Sequence, residues 1–467
     1  MVNIILKEIK ELLRDGRFKT IIVISLILLV FASITGLHQY KKDSGQYIES
    51  ILKERTIWET QEAKNPHSAA HYGTYAFKPM FALSLFDCGV NKYTGNSIFL
   101  EAHNRNEALF SEASDQTSLT RFGTLSINFI FIYLFPLIII LTGYNSLTKE
   151  RENQTLNIIK SQGLNPIKLV VSKWLVTLLP VVSISLVIFS LIGIILSNLD
   201  GLTFFSWASL FALFASYLVY FLFICTITVL ISIFSKSSGI SLLTSLLLWI
   251  TISFITPKIA TNFANETHPY PSKSEFYARI SQDKKNGLDG HNPWNEAAKS
   301  LESEILKEYG VSTVDELPFN YRGLLMQKGE EFEARVYEKH YNSLKEISNR
   351  QDQIYKNLSL LSPFISLRLL SMSISNTGNS LHWKFTEAAE DYRIMKQQFL
   401  NFDIKDNSNY NQRGYKMPVE NFKKLPRFDF QPPALIEIIR ENGQNLISLF
   451  IWVAVPFLIL IFFSQKI

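Results

Sequence analysis

Six apolar runs without an ionisable side chain in their interiors constrain this chain more than any other feature of its sequence. A hydrocarbon core about 30 Å thick takes roughly 20 helical residues to cross. The runs cover residues 21–37, 125–142, 174–196, 211–234, 239–255 and 446–463. Each is read as a membrane-spanning helix. The first is followed by Gly36, Leu37, His38, Gln39 and Tyr40, not by a small-residue cleavage site, so it is expected to stay as an anchor. Composition agrees only as an average. Hydrophobic residues make up 47%, 35 of them Phe, and mean hydropathy is +0.11 despite 19% charged residues. Those averages require apolar and polar blocks to be segregated along the chain. The net charge of +5 is too small and scattered for a nucleic-acid surface.

The distribution of basic residues sets the expected orientation. Lys7, Lys10, Arg14, Arg17 and Lys19 precede span 1, and Lys149, Arg151, Lys160, Lys168 and Lys173 lie between spans 2 and 3. Lys236 sits between spans 4 and 5, and Lys466 follows span 6. Six crossings put all of them on one side, which is the cytoplasmic one. The connection Ser197, Asn198, Leu199, Asp200, Gly201 carries no basic residue, as an outside loop should. Two long polar regions, about 39–123 and 257–445, then lie outside. The absence of mid-membrane carboxylates, lysines and histidines counts against an ion-coupled carrier, which must bind its ion there. It is compatible with energy supplied by a separate ATPase. Pro136, Pro180 and Pro456 are expected to kink spans 2, 3 and 6, with the freed backbone groups satisfied by neighbouring helices.

Two short segments on the cytoplasmic side have helical periodicity. Ile4, Ile5, Ile9, Leu12 and Leu13 form one apolar face before span 1, the pattern of a helix lying in the interface plane. Between spans 2 and 3, Leu156 and Ile159 and, past Gly163, Leu164 and Ile167 are spaced for short amphipathic helices. Within that loop, Glu150, Arg151, Glu152, Thr155, Leu156, Ser161, Gln162 and Lys173 stand in an unbroken register that resembles the permeases of type-2 ABC exporters. The chain departs from that pattern with Gln154 and Ser172 in place of glycine, Gly163 in place of proline and Pro166 in place of a basic residue.

The resemblance implies that Glu150, Arg151, Glu152, Thr155, Leu156, Ile159, Ser161 and Gln162 form a coupling helix that docks on an ATPase subunit. A short helix anchored by two spans is suited to move as a rigid lever. The bland reading is an interfacial helix packed only on lipid, which Lys160 and Lys168 would also suit. Further matches extend the resemblance over the whole chain: Leu361 to Phe364, Asn376 to Gly378, Ala388 to Glu390, Tyr392 and Arg393, and Leu425 to Phe428. They are similar to a bacterial subgroup with a large outside domain of unknown function before the last span.

That outside domain is expected to be mainly helical. Leu325, Phe332, Val336, His340, Leu344, Ile347, Ile354, Leu358 and Leu361 recur at helical steps over 321–361, and Pro363 ends the run. Further helices are expected over 295–309 and 386–400, and in the first polar region over 46–64 and 98–112. Glu390 with Tyr392 and Arg393 reads as a helix-surface ion pair.

The chain has eight histidines, and all fall outside the apolar runs. His67 and His71 are four apart and could share a metal on a helix, with Asp87 and Cys88 as conceivable neighbours. The reading adopted is ordinary surface or capping histidines, with no metal ligands and no catalytic residues assigned. No phosphate-binding Gly-x-x-x-x-Gly-Lys-Ser/Thr sequence occurs, nor a nucleophile elbow or His-Glu-x-x-His.

The expected protein is therefore an all-α polytopic membrane protein with no cofactor of its own, its partner ATPase binding ATP and Mg. Its organisation is an interfacial helix (1–19), span 1 (20–38), a first outside region (39–123), span 2 (124–143), the coupling segment (144–173), spans 3 to 5 (174–256), a second outside domain (257–445), and span 6 with its tail (446–467). It would be a non-enzymatic export permease in the bacterial cytoplasmic membrane, both termini inside, paired with a second permease, homo- or heterodimeric. The alternatives are a membrane-anchored sensor or scaffold, and a membrane enzyme, for which no polar cluster is offered within the spans.

Overall fold

The computed structural model describes residues 1–111, 125–199, 204–412 and 414–465. Among them, six helices are long and apolar enough to cross a membrane. In chain order, α1 (Val2–Arg14) precedes α2 (Gly16–Glu59), followed by α3 (Pro66–Tyr72) and strands β1 (Thr74–Phe77) and β2 (Ser97–Leu100). Then come α4 (Ile127–Glu152, with a turn at 144–147), α5 (Thr155–Ser161), α6 (Pro166–Ser197), α7 (Trp207–Phe234) and α8 (Ser238–Thr267). The second polar region holds α9 (Lys273–Lys285), α10 (Glu296–Tyr309), α11 (Tyr321–Leu358), α12 (Pro363–Ile374) and α13 (Asn379–Asn407) before α14 (Gly443–Ser464). The spans are α2, α4, α6, α7, α8 and α14, so the chain is an all-α, multi-pass membrane protein.

The outer spans bury one face and leave the other exposed, whereas α7 has no exposed residue from Ala212 to Ile233. In α2, Ser25, Leu29 and Ala32 are buried while Val23, Ile27, Val30, Phe31 and Ile34 are exposed, a stripe at helical spacing. The bundle core is densely aromatic around Phe131, which packs on Phe135, Phe189, Tyr217 and Phe221. The helix α12, from within the second polar region, joins this same core through Phe364, Leu367, Leu370 and Ile374. At its N-cap, Ser362 donates to the Ile252 carbonyl at 2.6 Å, where α8 opens into a wide π turn over Thr251–Ile255 before Pro257. A second π turn, Ile130–Leu134, precedes Pro136 in α4. Proline cannot donate to the preceding turn, and widening that turn is one way for a helix to accommodate it.

The span α2 does not stop at the membrane. Its 44 residues reach about 66 Å at 1.5 Å per residue, about twice the hydrocarbon core. The top of α2 anchors the polar regions: Trp58 donates to the Phe422 carbonyl at 2.9 Å and Arg55 to that of Leu425 at 2.8 Å. The expected helix over 98–112 is not found. Residues 97–100 instead pair antiparallel with β1, Thr74 opposite Leu100 and Phe77 opposite Ser97. The burial of Ile98 and Leu100 against Ala76, Phe385 and Phe430 explains the strand. Residues 112–123 of the first region, Asp200 and Gly201 of the outside connection, and Lys466 lie outside the described residues. The other expected helices are present, that over 386–400 extended to Asn379–Asn407 and that over 295–309 capped by Asn295, whose Oδ1 accepts from Ala297 N at 2.9 Å.

Candidate functional site

At the end of the bundle opposite the polar domain, the chain folds into an elbow. After the apolar part of α4, the turn at 144–147 leaves backbone groups without helical partners. Spans 4 and 5 supply them. Ser232 Oγ accepts from Leu147 N at 3.0 Å and Thr148 N at 3.3 Å, and Ser241 Oγ donates to the Tyr144 carbonyl at 2.6 Å.

The charged triplet that follows is engaged by neighbouring helices, with Glu150 turned inward and Glu152 left exposed. Glu150 is buried, accepting from Thr155 Oγ1 and, at 3.1 Å, from Lys173 Nζ, which also reaches Glu8 of α1 at 2.8 Å. Lys173 is only 4% exposed. Lys7 approaches Glu150 at 3.7 Å, and Lys149 pairs with Glu11 at 3.0 Å. Arg151 donates to the carbonyls of Ser235 and, at 3.0 Å, Ile233, the last turn of α7. Glu152 accepts from Ser238 N at 2.7 Å and Ser238 Oγ at 2.6 Å, placing a carboxylate on the N-terminus of α8, where the helix dipole favours it. One short segment thus ties α1, α6, α7 and α8 together.

Beyond it, Gln154 adopts φ 59°, a left-handed conformation that ordinarily suits glycine. That reversal aims α5 back onto the bundle. Leu156 is buried and Ile159 half-buried against the core, while Ser161 and Gln162 face out. Gly163, at φ 75°, turns the chain into α6, whose first turn is capped by Asn165 Oδ1 accepting from Ile167 N at 2.9 Å. Of the eight residues proposed for docking, Glu150, Arg151, Thr155 and Leu156 are thus occupied within the fold, and Glu152 caps α8. The exposed face is Asn157, Ile158, Lys160, Ser161 and Gln162. Ile158, 57% exposed, was not singled out by periodicity because it falls out of phase with Leu156 and Ile159. Beside it lies a cleft of about 430 Å³ lined by Arg151, Gln154, Leu156, Asn157, Lys160, Ile233, Phe234 and Phe463. The short helix α5 thus carries one protruding isoleucine and follows directly on a segment bonded to four other helices.

At the other end, the ion pair expected on a helix surface is buried. Arg393 is 1% exposed and donates to both oxygens of Glu390 at 2.9 Å and to Glu330 at 3.2 Å. Packing of α13 against α11 covers it, and a guanidinium in that position needs two carboxylates to offset desolvation. Tyr392 separates from the pair and donates to the Pro426 carbonyl at 2.8 Å.

His67 and His71 lie on α3 with their Nε2 atoms 3.0 Å apart. Asp87 and Cys88 do not join them. Asp87 is buried at the outer ends of the spans, accepting from Ser371 Oγ at 2.6 Å, in a chain that continues through Tyr217 to Asn128. The neighbours are His103 and His291, whose Nε2 atoms are 2.7 Å apart. His103 Nδ1 lies 2.7 Å from Glu330 and 3.4 Å from Glu333. Burial works against a charged His103, but the Glu330 and Glu333 carboxylates outweigh it and hold His103 up at about 9. Burial, then the imidazoles of His291, His71 and His103, push His67 down to about 4. Burial opposes ionisation of Glu330, yet His103 and Arg393 bring it to about 2.

The architecture defines a multi-pass helical membrane protein with a braced elbow at one end and a large polar domain at the other. Residues 106–255, which include spans 2 to 5 and the elbow, match the family model described as ABC-2 family transporter protein. Residues 273–431 match a domain of unknown function, DUF3526. Together the two matches support an ABC-2-type permease, a membrane component of an ABC transporter. No curated protein and no solved structure matches the chain.

Proposed function

We propose that this chain is the membrane half of an ATP-driven export complex in a bacterial cytoplasmic membrane. A separate ATPase subunit binds ATP and Mg and grips the exposed face of α5. A second permease, identical or sister, completes the pathway, since six helices alone enclose little space. Both termini and the elbow face the cytoplasm, following the clustering of Lys and Arg at that end. The polar domain of the DUF3526-bearing subgroup then faces outside, where it receives or gates cargo.

One observation carries this reading. The charged residues of the elbow are spent bracing α1, α6, α7 and α8, while Ile158 and Gln162 stand exposed at the tip of α5. A surface built only for the bilayer would have no need of that bracing, whereas a lever does. The test is Ile158→Asp with Gln162→Arg in the complex purified with its native partners. The expected result is loss of the co-purifying ATPase, or about tenfold weaker stimulation of its hydrolysis, roughly the 1.4 kcal/mol of a tenfold change, with insertion intact. Unaltered retention and stimulation would contradict the docking role and favour a scaffold whose spans conduct nothing.

A further inference from the structure

In the polar domain, four histidines from three distant stretches of chain meet at one point. His67 and His71 come from α3, His103 from the loop after β2, and His291 from the loop after α9; one ring nitrogen of each lies within 4.8 Å of the others. The geometry points to a metal site: we propose that His67, His71, His103 and His291 bind one late first-row divalent ion of the Zn²⁺ type in a closed tetrahedral site.

The first argument is spacing. Metal–nitrogen bonds of about 2.0–2.1 Å in a tetrahedron put neighbouring nitrogens roughly 3.3–3.4 Å apart. Two of the edges are already 3.0 Å, His67 to His71, and 2.7 Å, His103 to His291. His67 and His71 are one helical turn apart, the spacing that sets two ligands on one face. Their helix is fixed at its start by Pro66 and by Asn65, whose Oδ1 accepts from His67 N at 2.9 Å.

The second argument is orientation. A ligating histidine ordinarily gives its other ring N–H to a carboxylate, which sets the tautomer and aims the free nitrogen at the metal. His103 Nδ1 does this with Glu330 at 2.7 Å, and Glu330 Oε1 also accepts from the His103 backbone N at 3.1 Å. Glu330 is itself held by Arg393, so the orienting carboxylate is fixed from behind. His103 keeps φ 64°, an unfavourable backbone for a non-glycine residue, while pointing into the cluster.

The third argument is the approach of the fourth ligand. The loop bearing His291 lies directly on α11, next to Glu330, because Gly290 faces Gly329. A Cβ on Gly329 would sit 2.6 Å from Gly290 Cα. A side chain at position 329 would push the loop bearing His291 off α11.

The set contains only imidazole. That suits Zn²⁺, Cu²⁺, Ni²⁺ or Co²⁺ rather than Ca²⁺ or Mg²⁺, which take oxygen ligands. Four protein ligands leave no open coordination position, so the ion does no chemistry. It clamps α3 and the hairpin of the first polar region to the α9–α11 part of the second, and its occupancy sets how firmly the two regions move as one.

The experiment uses the full chain in detergent, purified on a tag without histidine, stripped with a chelator and titrated with Co²⁺ and then Zn²⁺. The expected result is one Co²⁺ per chain with the intense visible bands of a tetrahedral nitrogen site, displaced by one Zn²⁺, and a metal-dependent rise in melting temperature. His71→Gln and His291→Gln, at exposed ligands on separate regions, should each abolish the tetrahedral bands with circular dichroism unchanged. Glu330→Gln should weaken binding by about 10–100-fold, and His268→Gln should change nothing. Weak octahedral bands, binding well below one ion per chain, or binding that survives His71→Gln and His291→Gln would each overturn the site. None of these readouts depends on an ATPase or on transport.

Discussion

Both ends of the molecule are held by buried ion networks, and the two networks finish differently. At the elbow, Lys173 lies between Glu8 and Glu150, and each of these groups is answered within the fold. In the polar domain, the chain Glu390, Arg393, Glu330, His103 runs outward and ends on imidazole nitrogens that face only other imidazoles. The closed network braces the elbow and leaves Ile158 exposed on α5 among polar residues. The open one ends on a cluster of four imidazoles. Similar electrostatics therefore brace the proposed lever at one end and orient the proposed metal ligands at the other.

Arg393→Met should have the largest effect. Removing one member of a buried ionic set costs about 3–5 kcal/mol, and this change takes the guanidinium from two carboxylates, Glu390 and Glu330, leaving Glu330 only His103, so the upper end is expected. It should be read as faster hydrogen exchange in α11 and α13; protection equal to wild type would show that the network is not structural. Lys173→Met should cost about 3 kcal/mol, near the lower end of the same range, because Lys7 still lies 3.7 Å from Glu150. Its exchange should rise in α1 and around the elbow and not in the polar domain. A rise spread evenly over both ends would erase the distinction between the two networks.

A third prediction concerns pH. Lys396 is buried beneath β1 and β2, donating to Thr74 Oγ1 at 2.9 Å and the Leu100 carbonyl at 3.2 Å, over the Trp58 ring. Burial first, and the Arg393 charge, depress it to about 7, with Glu54 partly offsetting them. Between pH 7 and its ordinary value near 10.5, the unfolded chain binds the proton that the folded one does not. Stability therefore climbs with pH across that window. Relative to Lys396→Met, the wild-type domain should gain on the order of a few kcal/mol from pH 7 to 10, read from melting temperatures; a flat difference would contradict it. The smallest effect is expected from Gln154→Gly, which relieves a left-handed residue and should stabilise the elbow by up to about 1 kcal/mol, with ATPase stimulation unchanged. A loss of stability there would mean that the Gln154 side chain contributes more than its backbone costs.

The six spans are plain in the sequence, because apolar runs of about 20 residues are local signals. The sequence also marks the elbow, through the register from Glu150 to Gln162. What it hides is direction and distance. Glu150 reads as part of a docking face, and only the packing of α1 and α6 against it shows that it is buried, while Glu152 stays exposed and caps α8. The strand over Ser97–Leu100 is four residues long, too short to show alternation against a helical pattern. Twelve residues from Pro363 are too few to span, so their burial in the bundle core is not legible beforehand. His67 and His71 were visible as a pair, but their partners lie on separate segments, His291 188 residues beyond His103. No periodicity reports a contact of that kind.

The central claim is that the α5 tip and the polar domain lie on opposite sides of the membrane, with the tip on the side of the ATPase. Thiol labelling tests it most directly, in a Cys88→Ser background carrying either Gln162→Cys or Trp294→Cys, with a reagent that does not cross the membrane of intact cells. The account predicts that Trp294→Cys is labelled from outside and that Gln162→Cys is labelled only after the membrane is opened. Labelling of Gln162→Cys in intact cells would contradict it.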